Sequence, residues 1–138
     1  MDINWIELLT TGVGAHIIYF ATAIGAIMLF LAIYTTITPY REITLIREGN
    51  VAAAISLGGA ILGYTCPLAQ SVAQSGSLVD MLMWSAVALV AQLFAFGTAR
   101  LILPQLSSDV REGKVAPAIL LAAMSISIGI VNAAAMAD

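Results

Sequence analysis

Residues 39–70 read PYREITLIREGNVAAAISLGGAILGYTCPLAQ, and how they are parsed decides the fold. The first ten residues hold four charges, Arg41, Glu42, Arg47 and Glu48; after Gly49 no charge returns until Asp80. Thr38-Pro39 reads as an N-cap followed by proline at a first helical position, which opens a short helix. Gly49 stops that helix and Asn50 caps the next one. The stretch therefore predicts a brief amphipathic helix lying in a membrane interface, then a span extending to about Val72.

The rest of the chain repeats this segregation of charge. Of 138 residues, 61% are hydrophobic and 9% charged, against about a quarter charged in soluble domains. No Asp, Glu, Lys or Arg occurs between Glu7 and Arg41, Glu48 and Asp80, Asp80 and Arg100, or Lys114 and Asp138. Each gap holds the roughly 20 apolar residues that cross a bilayer as helix. Spans are expected at about 14–37, 50–72, 80–103 and 114–136, with Trp5 and Trp84 as outer interfacial anchors and a turn at Ser75-Gly76-Ser77. Pro104 opens a second interfacial segment, PQLSSDVREG. The amino-terminal stretch carries Asp2 and Glu7 and no basic residue, unlike the n-region of a cleaved signal peptide. The fold class is thus all-α, a polytopic membrane protein of four transmembrane helices forming one domain.

All five basic residues, Arg41, Arg47, Arg100, Arg111 and Lys114, fall in or beside loops 1–2 and 3–4. The other side carries Asp2, Glu7, Asp80 and Asp138. The positive-inside rule puts both basic loops in the cytoplasm and both termini outside. The same five residues are candidate contacts for acidic lipid head groups or a cytoplasmic protein partner.

The centre of the opening stretch has an echo. REGNVAAAISL at 47–57 and REGKVAPAILL at 111–121 share eight of eleven positions at an offset of 64. We read this as a duplicated hairpin, with repeats at about 10–74 and 75–138. A repeat of two spans returns to its starting side, so the copies are parallel, related by a pseudo-twofold along the membrane normal. Small residues recur at helical spacing within the spans: Ser56, Gly59 and Gly63 in the second, Ser125 and Gly129 in the fourth, Ala21, Gly25 and Ala32 in the first. In lipid such residues mark helix contact faces.

Candidates for chemistry are few. His16, Gln70, Gln92 and Asn132 are polar groups at membrane depth, joined by Gln74 near the outer end. They act either as interhelical ties or as the lining of a polar path. Pro67 lacks an amide proton and frees the Gly63 carbonyl, which Thr65 or water could satisfy. Cys66 stands alone, which excludes an intrachain disulfide. One histidine cannot supply two axial haem ligands within one chain, although a symmetric dimer or a quinone head group at His16 would suit it. No Walker loop, HExxH or nucleophile triad appears, so no catalytic residue, metal or cofactor is assigned.

The residues ITP at 37–39 with Glu42, LI at 45–46, GN before AAA, LGY at 62–64, PL at 67–68, QL at 92–93, RL before Pro104 and NAA at 132–134 resemble the YjfL-like family of small bacterial inner-membrane proteins. The resemblance covers nearly the whole chain. It implies four transmembrane helices, inner-membrane residence and no assigned activity, with gene neighbours pointing to envelope maintenance. The function expected is a non-enzymatic, homo-oligomeric scaffold contacting lipid or a protein partner, with no role in nucleic-acid binding. The alternatives are a small ion or solute channel or transporter, and a quinone- or haem-binding redox subunit.

Overall fold

The computed structural model describes residues 4–10 and 12–136, leaving aside the side chains of residues 8–10. Among them the regular structure is helix throughout: α1 (Trp5–Thr10), α2 (Gly12–Ile37), α3 (Glu42–Arg47), α4 (Val51–Gln74), α5 (Leu78–Ile102), α6 (Leu106–Arg111) and α7 (Val115–Met136). The long helices α2, α4, α5 and α7 are each long and apolar enough to cross a membrane. Asp2 and Asp138 lie outside the described residues.

The boundaries follow local chemistry. Asn50 Oδ1 accepts the Ala53 amide at 3.0 Å and opens α4, and Ser77 Oγ accepts the Asp80 amide at 3.2 Å and opens α5. The third span therefore starts at Leu78, with Asp80 in its first turn. Thr38 does not cap α3. Its hydroxyl turns back to Tyr34 O at 3.1 Å, finishing α2, and α3 begins only at Glu42 after Arg41, which provides no side-chain cap. A threonine hydroxyl prefers its own i−4 carbonyl where the helix already supplies one. Intramembrane hydroxyls do the same: Thr22, Thr35, Ser85 and Thr98 all donate to carbonyls of their own helices.

The two short helices end alike. Gly49 and Gly113 take φ of +87° and +79°, left-handed values that glycine adopts without a Cβ clash. Gly49 N donates to Ile46 O at 2.9 Å and Asn50 N to Leu45 O at 2.9 Å. Their counterparts 64 residues on, Gly113 N to Val110 O and Lys114 N to Asp109 O, measure 3.0 and 2.9 Å. Each is a Schellman turn, which satisfies orphan carbonyls and aims the chain into the next long helix.

α4 is the hub. It buries Ala52, Ala53, Ser56, Leu57, Gly59, Ala60, Gly63, Tyr64, Pro67, Leu68 and Ser71 among its neighbours. It runs parallel to α7, Gly59 against Ala122 and Gly63 against Ser125 and Gly129. A Cβ on Gly59 would come within 2.5 Å of Ala122, and one on Gly63 would collide with the Ser125 carbonyl. α2 attaches through aromatic rings instead. Phe30 stacks on Tyr64 with centroids 4.3 Å apart, and Tyr34 meets Phe96 edge-on at 6.2 Å. Its small residues Ala21, Gly25 and Ala32 are exposed, so the expected contact stripe of the first span faces outward. One aromatic stack on α4 outweighs a stripe of methyl-sized groups in setting which face turns inward.

Candidate functional site

Hydrophobic burial gathers five oxygen-bearing side chains beneath α3, at the end of the bundle where the short helices lie. α2 contributes Tyr34, the connecting turn Thr38 and Tyr40, α3 its first residue Glu42, and α4 Ser56; each is at most 5% exposed. Phe96 of α5 closes the side, its ring centroid 6.3 Å from that of Tyr40. Glu42 N bonds Tyr40 O at 3.1 Å, a tight turn that folds the glutamate inward.

Both Glu42 carboxylate oxygens, Tyr34 OH and Tyr40 OH are buried without a hydrogen-bond partner. Buried polar groups are nearly always satisfied, so four such atoms in one nest mark it out. Burial pushes the Glu42 carboxyl up to about 7; the Thr38 hydroxyl and its own backbone N–H lie near enough to pull it down in part, though neither makes a hydrogen bond to it. Burial likewise raises the Tyr40 phenol, with Ser56 opposing and the Glu42 charge adding to the rise. Glu42 forms no ion pair within 4 Å among the described residues; both such pairs belong to Lys114, 3.4 Å from Asp109 and 3.4 Å from Glu112.

Sequence reasoning passed over this glutamate, treating it as one of several interfacial charges. A signal was present. Sixty-four residues on, the first position of α6 is Leu106, fully buried. A glutamate at a position whose counterpart is a buried leucine is set to point inward.

The polar residues singled out from sequence lie apart. His16 is exposed on α2, its ring 6.0 Å from Phe20. Gln70 and Gln74 line a shallow pocket of about 220 Å³ with Ser71, Ser75, Asp80, Trp84 and Met136, at the end of the bundle away from the short helices. Asn132 borders a separate apolar groove between α5 and α7, beside Phe94 and Val131. Gln92 is fully buried mid-bundle, its Nε2 donating to Ser125 O at 3.1 Å. Its Oε1 and the Ser125 hydroxyl have no partner. Pro67 is buried within α4, and the Gly63 carbonyl that it frees abuts Gly129 of α7. Thr65 donates to Ile61 O at 2.7 Å, so it does not serve that carbonyl. The packing residues Ser56, Gly59, Gly63 and Gly129 are all buried. Among the described residues no group of three or more His, Cys, Asp or Glu is placed to hold a metal ion.

The basic residues share one end. Arg41, Arg47, Arg100, Arg111 and Lys114 are all exposed there. Asn50 ties the two short segments together, its Nδ2 donating to Val110 O at 2.8 Å and Arg111 O at 3.3 Å.

Comparison with known proteins agrees with this architecture. The chain is 36% identical over 118 residues to the UPF0719 inner membrane protein YjfL of Escherichia coli K12, covering 86% of this chain and 89% of that one. It is 30% identical over 91 residues to the UPF0719 transmembrane protein YshE of Bacillus subtilis 168, covering 66% and 68%. No solved structure matches the chain. The family model described as Domain of Unknown Function (DUF350) matches residues 8–136, and the chain belongs to that family.

Proposed function

We propose that this chain is a multi-pass protein of the bacterial inner membrane that works by assembly and binding rather than catalysis. In this reading it is a homo-oligomeric scaffold whose cytoplasmic end engages acidic lipid or a protein partner in maintaining the envelope. Loops 1–2 and 3–4 face the cytoplasm and both termini the periplasm. The observation that carries the reading is the clamped pair of short helices with five exposed basic side chains around it. A fixed platform presents its cations without the ordering cost that flexible loops would meet. Near an anionic surface each is worth about 1 kcal/mol. Glu48, Asp109 and Glu112 offset part of that charge, Lys114 being engaged by the latter two.

The test is mass measurement of the purified chain in nanodiscs containing anionic lipid. Oligomers that retain the acidic lipid or a partner, and lose it in the Arg47→Gln, Arg111→Gln double variant, are the expected result. A strict monomer with nothing bound overturns the reading. A second reading, a small ion or solute channel or transporter, draws support from the buried oxygen nest around Glu42. Ion flux into proteoliposomes, abolished by Glu42→Gln, is its test.

A further inference from the structure

The nest around Glu42 supports an inference that stands apart from the scaffold reading and does not require transport. We propose that the oxygens of Glu42, Tyr34, Tyr40, Thr38 and Ser56 form a binding site for one monovalent alkali cation, Na⁺ or K⁺, taken up in exchange for the carboxyl proton.

Charge comes first. A lone carboxylate buried in low dielectric is costly unless it is neutralised. The titratable groups facing Glu42 are Tyr34 from α2 and Tyr40 from the turn, both neutral phenols; Ser56 of α4 and the Phe96 ring of α5 bring no charge. One negative charge calls for one positive charge. A divalent ion would leave an uncompensated charge in the same place, and such ions draw on several carboxylates.

Ligand chemistry points the same way. Every donor atom is oxygen, the preference of hard cations. The Thr38 hydroxyl proton is committed to Tyr34 O at 3.1 Å and that of Ser56 to Ala53 O at 3.1 Å. With their protons so placed, both oxygens keep lone pairs free to face a cation. The two phenol protons can rotate away, leaving two more neutral ligands. Binding is balanced: the carboxyl O–H bond breaks, its proton passes to water, and the carboxylate takes the cation with the site neutral throughout.

The experiment is thermal unfolding of the full chain in zwitterionic nanodiscs at fixed ionic strength, with choline chloride replaced stepwise by NaCl or KCl. At pH 8.5 the wild-type Tm should rise and saturate with Na⁺ or K⁺. At pH 5.5 protons compete for the same buried carboxylate oxygens, so the half-saturating concentration should be higher than at pH 8.5. Glu42→Gln should lose the alkali response at both pH values. Tyr40→Phe keeps the ring against Phe96 and should raise the half-saturating concentration about tenfold. Identical unfolding in choline, Na⁺ and K⁺ at pH 8.5 overturns the proposal, even if the Tm depends on pH. An alkali response retained in Glu42→Gln overturns it too.

Discussion

A buried acid whose folded-state titration lies near 7 makes stability depend on pH in a direction that can be worked out. The folded chain holds the Glu42 proton up to about pH 7, whereas the unfolded chain loses it near the ordinary glutamate value of 4.5. Between those values the native state binds more protons, so unfolding free energy falls as pH rises and levels off above 7. The shift corresponds to a loss of about 3 kcal/mol across that window. In choline buffer the wild-type Tm should therefore fall from pH 5 to 7.5 and then flatten. Glu42→Gln should give a flat profile over the same range and exceed wild type at pH 8. A wild-type profile as flat as that of the variant would mean that Glu42 reaches water. Sequence alone gives Glu42 a charge and a place in a short helix. Its burial depends on the turn through Tyr40, a tertiary event that the flanking residues do not encode and only the leucine at the matching position 106 foreshadows.

At the scale of the helix, the decisive contact is the parallel seam between α4 and α7, where backbones meet without intervening side chains. Alanine at Gly63 would drive its Cβ into the Ser125 carbonyl and to 2.7 Å from Gln92 Nε2, and alanine at Gly129 would collide with the Gly63 carbonyl. Overpacking of this kind costs about 1–3 kcal/mol and outweighs the gain of about 1 kcal/mol that alanine brings to a helix. Gly63→Ala and Gly129→Ala should each lower stability by about 2 kcal/mol in detergent unfolding. Gly25→Ala and Gly58→Ala meet nothing within 4 Å and should be neutral or mildly stabilising. Equal effects at all four positions would show that the seam does not hold the bundle. Asn50→Ala removes both the α4 cap and the bonds to α6, and should cost about 1 kcal/mol or more. Spacing picks out the small-residue stripes of α4 and α7, since glycine and serine recur where helices approach. Within one chain the same spacing does not mark how α2 attaches, because Ala21 and Gly25 become a contact face only where a neighbour covers them. Phe30 stacking on Tyr64 makes the attachment instead.

At the scale of the whole molecule the four spans are legible because lipid imposes a length and forbids charge, so the gaps between ionisable residues reproduce the long helices within a few residues. The proposed orientation rests on a different term, the placement of basic residues, and predicts a definite labelling pattern. Cys66 is half-buried in α4, and Cys66→Ala gives a thiol-free background. In it, Gly76→Cys puts a thiol in the exposed turn between α4 and α5, where a Cβ meets nothing within 4 Å. Ser108→Cys puts one on the exposed face of α6, at the basic end. The positive-inside rule predicts that an impermeant maleimide modifies position 76 and spares position 108 in spheroplasts, and the reverse in inverted vesicles. Because α4 and α7 run parallel from the short-helix end, one orientation fixes both hairpins together. Position 108 labelled from the periplasm would thus invert the whole molecule and place the Glu42 nest on the outer side. Labelling of both positions from both sides would mean a dual-topology protein, in which antiparallel copies meet and the basic platform faces both compartments.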